Sequence, residues 1–83
     1  MSIPTRLRYF NDGNFKGSYD RAKDATALDN DDAAAQLALG NAARKLGKLD
    51  EAEKAYKRCL DLDPVPKVRK PAEKALREMT GNE

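Results

Sequence analysis

The stretch AAAQLALGNAARKLGKLDEAEKAYKRCLDLDPVP, residues 33–66, decides the architecture. From Ala33 to Leu46, the residues Leu39, Ala42, Ala43 and Leu46 fall at i, i+3, i+4 and i+7, which is one face of an α-helix. Asp31 or Asp32 ahead of it can accept from the free N–H groups of the first turn, and Gly47 suits the left-handed position just past a helix end. Ala52, Ala55, Tyr56, Cys59 and Leu60 form a second stripe, with Asp50 as the expected N-cap and Glu53 three residues on, in the manner of a capping box. Pro64 halts this helix, because it lacks an N–H and pushes Asp63 out of the α region. Only Gly47-Lys48-Leu49 separates the two stripes, so the helices are expected to be antiparallel neighbours.

Outward from this hairpin the pattern stays helical. Upstream, Phe15, Tyr19 and Ala22 begin a helix that continues through Ala25 to about Leu28, and Asn11-Asp12-Gly13-Asn14 is a dense turn signal. Pro4 to Phe10 then reads as a short first helix. Downstream, Val68, Ala72, Ala75, Leu76 and Met79 define a last stripe, with the regular helix expected from about Pro71 and a kink or loose turn over Pro66 to Lys70.

The chain also repeats itself. A shift of 34 residues lays Gly13 on Gly47, Phe15 on Leu49, Ser18 on Ala52, Ala25 on Cys59, Leu28 on Leu62 and Asp29 on Asp63. At that period residues 33–66 carry Gln36, Leu39, Gly40, Ala43, Ala52, Tyr56 and Pro64 against the pattern W-x2-L-G-x2-Y, A-x3-F, P, and the sequence resembles the tetratricopeptide repeat (TPR). Gln36 and Ala43 depart from the pattern, each putting a smaller side chain where an aromatic is usual.

The resemblance implies an all-α domain over residues 1–83: TPR-like hairpins stacked as a short right-handed superhelix of about five helices. Residues 3–32 would be a truncated repeat, 33–66 a full repeat and 67–80 a capping helix with a polar outer face.

Composition narrows the chemistry. At 83 residues the chain is one small domain, burying only about 60 to 65% of the surface its unfolded form exposes. No apolar run approaches the roughly 18 residues of a membrane span, and Met1-Ser2-Ile3-Pro4 leads into a charged stretch with no signal-peptide core. A cytoplasmic location without membrane association is therefore expected. With no histidine and a single cysteine, Cys59, disulfide scaffolds, histidine bases and ordinary zinc sites are excluded. Sixteen basic against 14 acidic side chains, both signs interleaved along the helices, give no concentrated basic footprint, so nucleic acid is not an expected partner.

Each candidate for chemistry has a simpler structural reading. Asp29-Asn30-Asp31-Asp32 opens like an EF-hand loop, but Ala34 stands where the loop needs Gly and Gly40 where it needs Glu, so helix capping explains it. Cys59 on an inward stripe behaves as a small hydrophobe, with no histidine to activate it. The glycines of Gly13 to Gly17 are not followed by a phosphate-binding Lys-Ser/Thr, and neither catalytic machinery nor a cofactor is expected. Phe10 and Phe15 beside Arg6, Arg8 and Lys16 could stack on bases, but contact between the first two helices explains them more simply.

In proteins of this resemblance, the first helix of each hairpin lines a concave groove that holds a peptide of another protein. Carried onto this chain, the groove residues are Ala34, Leu37, Asn41, Arg44 and Lys45, joined by Leu7 and Phe10 of the first helix and Val68 of the last. Asn41 can satisfy a peptide backbone, Arg44 and Lys45 can pair with a carboxylate, and Leu37 offers an apolar contact. Only Gly40-Asn41 is similar to the carboxylate clamp of some TPR proteins, since Leu37 stands in the lysine place, so chaperone-tail binding is not expected. The alternative is a self-assembly element whose Ile3, Leu7 and Phe10 are covered by another copy.

Overall fold

The computed structural model describes the backbone of residues 3–80 and the side chains of residues 15–80. Its elements are α1 (Ile3–Leu28), α2 (Ala33–Lys45), α3 (Leu49–Asp61) and α4 (Pro66–Met79), with no strand among the described residues. α2 and α3 form the expected antiparallel hairpin; α1 packs on α2, and α4 lies against both α3 and α2.

The hairpin is built where the sequence marks it. Asp32 is the N-cap of α2, its carboxylate accepting from the Ala35 N–H at 3.2 Å. α2 ends with Gly47 at φ +80, the Lys48 N–H donating to the Ala43 carbonyl at 2.8 Å and the Gly47 N–H to that of Arg44 at 3.0 Å. That pair of bonds is the glycine-dependent closure that satisfies carbonyls left open at a helix end. α3 begins two residues earlier than its capping pattern implies: Lys48 stands at the N-cap, without a side-chain bond, and Asp50 lies inside the first turn, where its charge still favours the helix N-terminus. Asp63 takes φ +54 ahead of Pro64, leaving the right-handed region for the left-handed one, which aspartate tolerates.

Among the described residues the five expected helices become four. Asn11-Asp12-Gly13-Asn14 is not a turn; the backbone runs helically through it, and residues 3–32 hold one helix rather than a truncated hairpin. The turn signal there is a matter of propensity, up to about 0.7 kcal/mol for each Asn or Asp and about 1 for Gly relative to Ala, which a helix can absorb. α4 likewise starts at Pro66, in the first helical position where a missing N–H costs nothing, and accommodates Pro71 in its interior. The starts of α2 and α4, and the ends of α1 and α3, are both 33 residues apart, one short of the period seen in the residues and within the usual uncertainty of helix bounds.

The core is made chiefly of alanines. Ala43, Ala52, Tyr56, Cys59 and Ala72 are wholly hidden, with Ala75 beside them and Leu37, Leu60, Val68, Leu76 and Met79 packed around. A smaller cluster of Ala22, Leu39 and Ala55 joins α1 to the hairpin. Small side chains let the helices approach closely, and Gly40 marks the tightest point: a Cβ there would lie 2.6 Å from Tyr56 Cε1. Gln36, at the pattern's aromatic position, is buried and ties down the α1–α2 loop, its Nε2 donating to Asn30 Oδ1 at 2.7 Å.

Candidate peptide-binding face

α2 presents one outward row between α1 and α4. At 100° per residue, Ala34, Ala38, Asn41 and Lys45 fall within about 40° of Ala34, whereas Leu37 and Arg44 fall about 60 to 80° to one side. The exposures follow that geometry: the first four are exposed, and Leu37 and Arg44 are half-buried.

The expected groove residues therefore divide. Leu37 and Val68 pack on the main core as its partly buried margin. Arg44 is engaged by the last helix, its guanidinium donating to Glu78 Oε1 at 2.8 Å. That hydrogen bond, together with the opposite charge, holds the Glu78 carboxyl below its ordinary value. Asn41 is exposed, yet its Oδ1 accepts the Tyr56 hydroxyl at 2.6 Å, leaving the amide N–H groups to donate outward. Burial pushes the Tyr56 phenol up, so it stays a donor. Lys45 stands over the Phe15 ring, its Nζ 5.4 Å from the centroid, and makes no ion pair among the described residues. Leu7 and Phe10 lie outside the residues whose side chains are described.

Asn41 and Lys45 meet on a depression of about 320 Å³ between α1 and α2, lined also by Phe15, Ser18, Ala38 and Ala42. It adjoins a second of about 550 Å³ at Asn41, Arg44 and Lys45. The first offers an apolar floor and wall with an ammonium and an amide at its edge, the arrangement that receives an apolar side chain beside an anionic or carbonyl group. Phe15, Ser18 and Ala38 are absent from the row read off the sequence. Ala38 was within reach, since it sits four residues after Ala34 and three before Asn41; Phe15 and Ser18 arrive from another helix, and no local spacing points to them.

Elsewhere the polar groups hold the fold together. The Tyr19 hydroxyl donates to Glu51 Oε1 at 2.6 Å, and Lys23 Nζ donates to Glu51 Oε2 at 3.3 Å, joining α1 to the start of α3. The Arg58 guanidinium donates to Asp31 Oδ1 at 2.8 Å, joining α3 to the α1–α2 loop. Cys59 is buried, and desolvation raises its thiol pKa, which keeps it protonated. Among the described residues no three His, Cys, Asp or Glu side chains are grouped to hold a metal ion, and no helix is long and apolar enough to cross a membrane.

Antiparallel helices recurring every 33 residues define a helical-repeat protein. Residues 33–64 match the family profile of the tetratricopeptide repeat, and that segment is a tetratricopeptide repeat. Repeats of this family are in general non-enzymatic and mediate protein–protein interactions. Neither the comparison with curated proteins nor that with solved structures gave a match.

Proposed function

We propose that this protein is a non-catalytic interaction module that takes a peptide segment of a partner protein along the outward row of α2. A cytoplasmic setting belongs to the same reading. The supporting observation is the convergence of Asn41 and Lys45 on the apolar depression made by Phe15, Ala38 and Ala42. An apolar residue of the peptide occupies the depression, the Asn41 amide donates to a peptide carbonyl, and Lys45 faces a carboxylate. Arg44, already matched by Glu78, supports the wall and is not the main anion contact.

The test is selection of binders from a random peptide library, followed by titration monitored through backbone amide resonances. Shifts are expected at Ala34, Ala38, Asn41 and Lys45. Ala38→Glu with Lys45→Glu is expected to weaken binding by about tenfold or more, a loss of about 1.4 kcal/mol, with the melting temperature nearly unchanged because both positions are exposed. Asn41 and Arg44 are poorer probes, since replacing them also strips Tyr56 and Glu78 of partners. Binding that survives the double substitution, or shifts confined to other surfaces, rejects the assignment.

A further inference from the structure

α1 has 26 residues against 13, 13 and 14 in the other helices. Phe15 and Ser18 lie beside Ala42 and Lys45, at the end of α2, and the two helices run antiparallel. Residues 3–14 therefore continue past the end of α2 as an arm about 18 Å long at 1.5 Å per residue. In the other half of the molecule, by contrast, α2 itself packs on both α3 and α4, with Arg44 bonded to Glu78 near the end of α4. One repeat upstream, the element that would cover the α1–α2 junction in the same way is the segment 3–10. The continuous helix carries that segment away from its own depression, so the depression stays open.

We propose that the arm of a second copy fills it. Two copies exchange arms, residues 3–10 of each lying in the depression lined by Phe15, Ser18, Ala38, Asn41, Ala42 and Lys45 of the other. The sequence stripe Ile3, Leu7 and Phe10, at i, i+4 and i+7, supplies the apolar side of the arm. Eight arm residues and the six lining the depression give each copy about 14, below the roughly 20 to 30 residues a side of a standard interface, which is the size of a weak, dissociable dimer. Asn11-Asp12-Gly13-Asn14 is the hinge: helical, it extends the arm for exchange; broken into a turn, it would return the arm to its own chain. The arm goes beyond the peptide reading but would occupy the same depression, so exchange is measured without peptide and peptide titrations are made on the diluted monomer.

Sedimentation equilibrium on the 83-residue chain from micromolar to millimolar concentration is expected to show a monomer–dimer equilibrium. Leu7→Glu abolishes the dimer while the melting temperature of the diluted monomer stays unchanged. Replacing all four hinge residues, Asn11 to Asn14, by Ala stiffens the helix and tightens the dimer by about tenfold or more. Leu7→Cys in one copy and Ala38→Cys in another, mixed and oxidised, form a disulfide between different chains. A chain that stays monomeric throughout, including the four-alanine variant, overturns the proposal. So does a Leu7→Cys/Ala38→Cys double variant that closes its disulfide within one chain, which would show the arm folded onto its own depression.

Discussion

The α2–α3 hairpin and helix α1 carry similar turn signals, Gly47 with its neighbours in one and Asn11-Asp12-Gly13-Asn14 in the other, yet only the first becomes a turn. At Gly47 the chain reverses because both helices then bury a stripe: Ala43 from α2 and Ala52, Tyr56 and Cys59 from α3 are wholly hidden. At Gly13 the backbone stays helical. The comparison teaches that a turn sequence permits a reversal while tertiary burial enforces it. The two regions differ in what secures them: α2 and α3 by packing around one ring, α1 by a thin contact of Ala22, Leu39 and Ala55 and by the hydrogen bond from Tyr19 to Glu51.

Removing the ring should break the difference most severely. Tyr56→Ala leaves a void against Gly40 and between α2 and α3, a change that costs about 3 to 5 kcal/mol for a buried aromatic. A chain of this size has a total stability of about 4 to 12 kcal/mol, so the loss is a large share of it and the urea midpoint should fall steeply. Phe15→Ala, at a half-buried position on α1, should cost only about 1 kcal/mol. Equal losses at the two positions would mean that α1 and the hairpin are one evenly packed unit.

Two glycines sharpen the comparison at smaller scale. Gly47 holds φ +80 in the reversal, where a side chain costs about 1 kcal/mol, whereas Gly17 lies in the helical interior of α1 with nothing within 4 Å of an added Cβ. Gly47→Ala should therefore lower the melting temperature by roughly 4 to 8 °C. Gly17→Ala should raise stability by about 0.5 to 1 kcal/mol. A stabilising Gly47→Ala would show that the reversal is not held in the left-handed conformation.

Much of this fold is legible in local spacing. The stripe Leu39, Ala42, Ala43, Asp32 as a cap and Gly47 as a terminator each state a local preference that burial then agrees with. The readings fail where local preference and packing part company: the turn at residues 11–14 stays helical, and α4 begins at Pro66 although Pro71 opposes a helix there. The binding face fails differently. A helical wheel sets Leu37 and Arg44 to one side of Asn41, but that this is the side that meets α4 depends on residues more than thirty positions away, Glu78 bonding Arg44 among them. Phe15 and Ser18 are contributed by α1, so spacing along α2 holds no trace of them.

The smallest expected effect concerns the polar tie between the two regions. Glu51 is held below its ordinary 4.5, first by the hydrogen bond from Tyr19 and then by Lys23, with burial opposing both. A carboxylate lowered in this way stabilises the fold above its unfolded value and loses that contribution as the pH falls through its folded one. Tyr19 is raised above 10.0 and Lys23 above 10.5, chiefly by hydrogen bonding to Glu51. Groups raised on folding contribute fully below their unfolded values and lose that contribution as the pH rises through the folded ones. The tie is therefore strongest at neutral pH and weakens on both flanks, below about 4.5 and above about 10. Glu51→Gln keeps the shape and removes the charge. Its melting temperature should lie slightly under that of the wild type at pH 7 and converge with it at both extremes. Hydrogen exchange in α1 should quicken more than in α3, because Glu51 is where the long helix is fastened to the hairpin. Curves that stay parallel across the pH range would show that Tyr19, Lys23 and Glu51 do not act together.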